Sequence, residues 1–200
     1  MHKNFLKILF LIFLFIYALP VYSKKIDINE FNSKDLSNYF SAIISYDNQK
    51  NEEALKFFNL SKPLIENHSP YLKQYIFSLV MEGMANKAIK ELENNYGNKN
   101  SHFFEAYLIL TLNSITKKSY TETKKYLNQL YNFKDQGYVE SAIYEILNNY
   151  AYLFENKKIS PKNENLGNIS MITKAFENCY LNNENVEIYF ENLINDDGID

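Results

Sequence analysis

Asn51-Glu-Glu-Ala-Leu-Lys-Phe-Phe58 and, further along, Asn86-Lys-Ala-Ile-Lys-Glu-Leu92 decide how this chain is read. Their alanines, Ala54 and Ala88, stand 34 residues apart. Each opens an amphipathic helix that follows another amphipathic helix and a short polar turn. Two antiparallel helices cross closely only where one side chain is small. The next turn of the second helix then supplies Phe58 or Leu92 to fill the groove. A helix, a turn and a helix recurring at this interval predict an all-α chain, an α-solenoid of antiparallel helical hairpins.

The flanking sequence supplies the partner helices. Ser33 reads as a cap with Asp35 in the first turn, where the helix dipole favours a negative charge. Leu36, Tyr39, Phe40, Ile43 and Ile44 recur at three and four residues, and Ala42 falls twelve before Ala54. Pro63, with no N–H to donate, ends or kinks the helix of Phe58. Ser69-Pro70 starts the next helix, and Gly83 closes its stripe of Leu72, Tyr75, Ile76, Leu79 and Val80. Gly97 stops the helix of Ala88. A third pair is predicted from Phe104, Leu108, Thr111, Leu112 and Ile115, then Thr123, Leu127, Leu130 and Tyr131. Here Thr123 replaces the alanine, one residue late in the period.

A helix–turn–helix unit of 34 residues is the period of the tetratricopeptide repeat, and the stretch from Leu36 to Leu130 resembles that family. The order of elements also resembles exported bacterial proteins built from such repeats. The resemblance implies binding of an extended segment or a helix along the concave face of a solenoid, without catalysis.

Beyond the third pair, residues 137–156 are expected to form one long helix with no small-residue partner. Residues 157–165, broken by Pro161, are a predicted loop. Two further helices follow, one with Ile169, Ile172, Phe176 and Tyr180 as its inner face, the other with Val186, Tyr189, Phe190, Leu193 and Ile194. A terminal hairpin has no neighbour to cover its stripe, so further sequence, a partner or a second copy is expected there. The chain thus divides into a leader (1–23), a linker (24–34), tetratricopeptide-like hairpins (35–136) and further helices (137–200), an incomplete part of the solenoid.

The N-terminus carries Lys3 and Lys7, an unbroken apolar run from Ile8 to Leu19, and Val21-Tyr22-Ser23 as a cleavage site before Lys24. This is the pattern of a signal peptide and predicts an exported, periplasmic protein. The alternative is an anchor in the inner membrane formed by residues 5–20, which fall short of the about 20 apolar residues a span needs. All 21 basic residues are lysine and the formal net charge is −3. Without arginine, and with an acidic balance, a nucleic-acid partner is not expected.

No motif for chemistry emerges. His68 and His102 read as surface residues, and neither pairs at ligand spacing with another His, Cys or carboxylate, so no metal or cofactor is expected. Glu52, Glu53, Glu91 and Glu93 read as solvated acids on helix faces. The lone cysteine, Cys179, reads as a buried thiol beside Phe176 and Tyr180. No Gly-x-Ser-x-Gly elbow or glycine-rich phosphate loop occurs, so neither enzyme chemistry nor a small-molecule substrate is predicted. Tyrosine is the residue that stands out, with 17 in the chain. Tyr39, Tyr75, Tyr107 and Tyr144 fall on first helices of successive pairs, where a solenoid presents its concave surface. They are the candidate contacts for a protein partner.

Overall fold

The predicted apolar stripes all fall on helices. The computed structural model describes residues 32–162, 165–184 and 186–195, and among these every regular element is helical. In chain order they are α1 (Ser33–Asp47), α2 (Asn51–Leu60), α3 (Ser69–Met81), α4 (Ala85–Asn94), α5 (Phe104–Thr116), α6 (Tyr120–Tyr131), α7 (Tyr138–Asn156), α8 (Asn168–Tyr180) and α9 (Val186–Asn195). The leader and the first part of the linker lie outside the described residues. From Lys34 onward the chain forms one compact unit.

One turn is used again and again. In α1/α2 the amide of Lys50 donates to the carbonyl of Ser45 at 2.9 Å, and Gln49 between them is left-handed. In α3/α4 the same bond runs from Met84 to Leu79 at 2.8 Å over Gly83. In α5/α6 it runs from Ser119 to Ser114 at 2.9 Å over Lys118, and in α8/α9 from Asn183 to Asn178 at 3.1 Å over Asn182. This six-to-one bond satisfies a terminal carbonyl and reverses the chain. Glycine meets the left-handed requirement without strain, yet only one of the four turns has it.

A second short element follows each of the first three pairs. The 3-10 turns Lys62–Ile65, Lys99–Ser101 and Lys134–Gln136 lead into α3, α5 and α7. Pro63 sits in the first turn of the first of these, so α2 ends at Leu60 before the proline could disrupt it.

Successive pairs are joined by polar bonds about one hairpin apart in sequence. Tyr39 Oη donates to Gln74 Oε1 at 2.6 Å, and Lys73 Nζ meets Glu105 Oε1 at 2.9 Å. Lys62 meets Glu91 at 2.8 Å, while the Asn100 amide donates to the carbonyls of Ile65 and Glu66 at 2.7 and 3.0 Å. Further on, Tyr120 Oη donates to the carbonyl of Phe154 at 3.1 Å and Lys124 meets Glu155 at 2.7 Å. Glu91, expected to be solvated, is therefore buried against its lysine.

The small-residue crossings are fully buried: Ala42, Ala54, Ala88 and Thr123 are closed to solvent. Thr123 fits because its hydroxyl is satisfied twice, at 2.9 Å from Ser114 Oγ across the crossing and at 3.1 Å from the Ser119 carbonyl. The interior between α2 and α4 is aromatic and aliphatic, with Phe58, Tyr71, Leu72, Tyr75, Ile76, Leu79 and Leu92 enclosed.

Two predicted stripes are not buried as expected. On α1 the inner face is Tyr39, Ala42 and Ser45, while Phe40 and Ile44 are open to solvent. On α8 the face of Ile172, Phe176 and Tyr180 is outside, and Cys179 is exposed with it rather than buried. The enclosed residues of α8 are instead Thr173, Ala175, Glu177 and Asn178.

Candidate functional site

The four tyrosines singled out in the sequence turn out to serve the interior. Tyr39 is buried, with its hydroxyl on Gln74 and the edge of its ring on His68, centroids 4.5 Å apart. Tyr75 is fully enclosed and donates to Asn59 Oδ1 at 2.9 Å. Burial, with the Glu91 charge as a second cause, pushes its hydroxyl up to about 12. Tyr107 is buried with its hydroxyl 3.0 Å from His102 Nδ1. Burial raises it too, and neighbouring Tyr96 adds to the shift. Tyr144 is half-buried, edge-on to Tyr131 at 5.4 Å and 5.8 Å from the Lys134 ammonium. Three of the four rings therefore offer no open area. The physical reason is their packing: each tyrosine spans the gap between helices and finds a hydrogen-bond acceptor or imidazole at its far end.

Tyr71, which the pattern passed over, belongs to the same cluster. It is enclosed, bonded to the carbonyl of Phe58, and burial drives its hydroxyl well above the ordinary phenol range, Tyr75 adding to the shift. The two histidines are also more engaged than their turn positions suggest. Burial lowers His68, which packs on Tyr39, and exposed His102 packs on Tyr107 and Phe133.

On α3 and α5 the apolar residues left exposed are aliphatic. On α3, Lys73, Phe77, Val80 and Met81 follow one face at helical spacing, with Val80 and Met81 exposed. On α5, Glu105, Leu108, Leu112 and Ile115 do the same, with Leu112 exposed. The ion pair of Lys73 with Glu105 joins the starts of the two rows. Lys73 Nζ also lies 5.4 Å from the Phe77 ring centroid, so its charge lids that end. α7 packs on α5 and carries Val139, Ile143 and Ile146 at the same spacing, with Val139 exposed. Periodicity marked Val80, Leu108 and Leu112 as apolar positions. It could not say that their helices leave them part-open.

A shallow groove of about 830 Å³ at the start of α2 is lined by Gln49, Lys50, Asn51, Glu52, Glu53 and Lys56. Phe57, Leu60 and Glu82 complete the lining, and four of its charges pair, Lys56 with Glu52 at 3.0 Å and Lys50 with Glu53 at 3.9 Å. Among the described residues no three His, Cys, Asp or Glu side chains come together as a metal would require, and no helix is long and apolar enough to cross a membrane. Comparison with protein families, with curated proteins and with solved structures finds no match for this chain.

Proposed function

We propose that this chain is a protein-binding scaffold without catalytic activity, a tetratricopeptide-like solenoid that holds an apolar segment of a protein partner along the row of α3 and α5. The observation that carries this reading is the line of exposed Val80, Met81 and Leu112 with half-buried Phe77 and Leu108, beside the Lys73–Glu105 ion pair. Rows of this kind supply burial to an extended or helical segment, and the charged end fixes its register. The solenoid part of the reading is supported by the recurring turn over Gln49, Gly83 and Lys118 and by the bonds between successive pairs. Its exported location is supported by the basic leader and the apolar run from Ile8 to Leu19.

The reading is tested in living cells by installing a photo-crosslinking side chain at Leu112 and, separately, at exposed Lys90 on α4. A discrete adduct from Leu112 that is missing from Lys90 is expected. Equal adducts from both positions, or none from Leu112, would discard the row as the binding face. N-terminal sequencing of the protein from envelope fractions is expected to begin at Lys24; a blocked or intact Met1 would favour the anchored form.

A further inference from the structure

α8, like α1, turns much of its apolar stripe toward solvent. Ile172, Phe176 and Tyr180 follow one another at four-residue steps on the solvent side, and Phe176 is 55% exposed. On the enclosed side lie Thr173, Glu177 and Asn178, with Glu177 only 1% exposed. The Glu177 Oε2 oxygen has no hydrogen-bond partner. Burying an unsatisfied carboxylate oxygen is unfavourable, and leaving a phenylalanine in water forgoes the gain of burying it. A rotation of α8 by about one residue's turn, roughly 100°, would bring Ile172 and Phe176 to where Thr173 and Glu177 now lie. A helix selected only to close the fold would have its apolar stripe inward. The edge of Phe190 on α9 meets Phe176 at 6.0 Å, and exposed Ile194, one turn beyond Phe190, extends the open apolar area along that helix.

The charge of this region says what covers it. From Ala175 to Asn195 the chain holds four acidic residues and no lysine. Glu177 is enclosed, while Glu184, Glu187 and Glu191 are exposed at and along α9. Two lysines border the α8 side, Lys174 within the helix and Lys157 over the Tyr180 ring at 4.6 Å, so the acid excess lies along α9. A second copy would set one acid-rich face against another, and an anionic membrane would be repelled for the same reason. We propose that the α8–α9 hairpin is a docking surface for a cationic amphipathic helix of a partner protein, its apolar side on Ile172, Phe176 and Ile194 and its lysines or arginines over Glu187 and Glu191. The stripe from Ile172 to Tyr180 is about 12 Å long, enough for two turns of a partner helix to anchor at i, i+4 and i+7. This surface is distinct from the row on α3 and α5, and its occupant does not depend on that row being a binding face.

The test uses the purified chain and two synthetic helical peptides of about 18 residues, five turns at 3.6 residues each. They share one leucine stripe and carry lysine or glutamate elsewhere. Binding is followed by calorimetry at two salt concentrations, with circular dichroism confirming that each variant stays folded. The leucine–lysine peptide is expected to bind, more weakly at high salt. Phe176→Glu, and separately the pair Glu187→Lys with Glu191→Lys, is expected to weaken it by about tenfold or more. The charge-reversed pair is expected to take up the leucine–glutamate peptide that the parent refuses. Equal binding of both peptides by the parent, or failure of the leucine–lysine peptide to bind, overturns the proposal. So does a parent dimer in sedimentation that Phe176→Glu splits, since the occupant would then be a second copy.

Discussion

The front and back of this chain enclose their polar side chains differently. In α1 to α6 the enclosed residues are chiefly aromatic and aliphatic, with Thr123 and Ser114 bonded across one crossing, and polar bonds run along the margins from one pair to the next. Between α7 and α8 the ring contact of Phe154 with Tyr180, centroids 4.9 Å apart, is accompanied by an enclosed polar face of Thr173, Glu177 and Asn178. Burial raises the Tyr150 hydroxyl, a hydrogen bond with Thr173 draws it back, and the charge of Glu177 adds a smaller upward push. Burial likewise raises the Glu177 carboxyl, which Lys174 only partly offsets. The difference teaches that an apolar stripe records which residues avoid water, without recording which body covers them. In the front half Phe58, Leu72 and Leu79 are enclosed while Phe40, Ile44, Val80 and Leu112 stay open; on α8 most of the apolar stripe stays open.

The largest test of this contrast compares two phenylalanines. Phe58→Ala removes a fully enclosed ring and is expected to cost about 3–5 kcal/mol in denaturant unfolding. Phe176→Ala removes a ring that is more than half exposed and should cost about 1 kcal/mol or less. Similar losses at the two sites would erase the distinction between front and back. Ala88→Leu, or Ala54→Leu, is the next largest: overpacking a closed crossing should lower stability by about 1–3 kcal/mol, read from the same curves. If both variants melt with the parent, the small-residue crossings are not what sets the pairs together.

Glu177→Gln is expected to act in the other direction. The native state holds the carboxyl with a raised affinity for its proton, so around and above its ordinary titration range it binds more protons than the unfolded chain. Parent stability should therefore fall as pH rises through that interval. The glutamine variant should be more stable by roughly 1 kcal/mol at neutral pH and equal to the parent once the acid is protonated in both states. A variant that is less stable at neutral pH would mean that the carboxylate has a partner worth more than its burial costs. The smallest effect belongs to Lys124→Gln. Its pair with Glu155 joins α6 to α7 at the surface, and losing it should change the midpoint by no more than about 0.5 kcal/mol, less still in high salt.

Much of the front half could be read from the residues. Ala54 and Ala88 mark closed crossings, Ser69-Pro70 opens α3, and Gly83 reverses the chain where expected. The register of Thr123 was visible as well, though its fitness depends on Ser114 across the crossing, which spacing alone does not reveal. The candidate surface was harder. A tyrosine such as Tyr75 has the same residue type whether its hydroxyl meets water or Asn59, and only the acceptor on another helix decides. The face of α8 was read inverted because Thr173, Glu177 and Asn178 are ordinary surface residues by composition. Nothing local to α8 says that Tyr150 and the rest of α7 will take its polar side.

The exposure of Cys179 has a practical consequence. It is the one thiol in the chain, three residues beyond Phe176 on the same helix. A maleimide dye added to the native protein will therefore attach at a single position, within the stripe rather than remote from it. Changes in its emission report the wetting and drying of that patch alone. A disulfide-linked species on a non-reducing gel likewise records two α8 helices having met, since no other sulfur in the chain can make that bond.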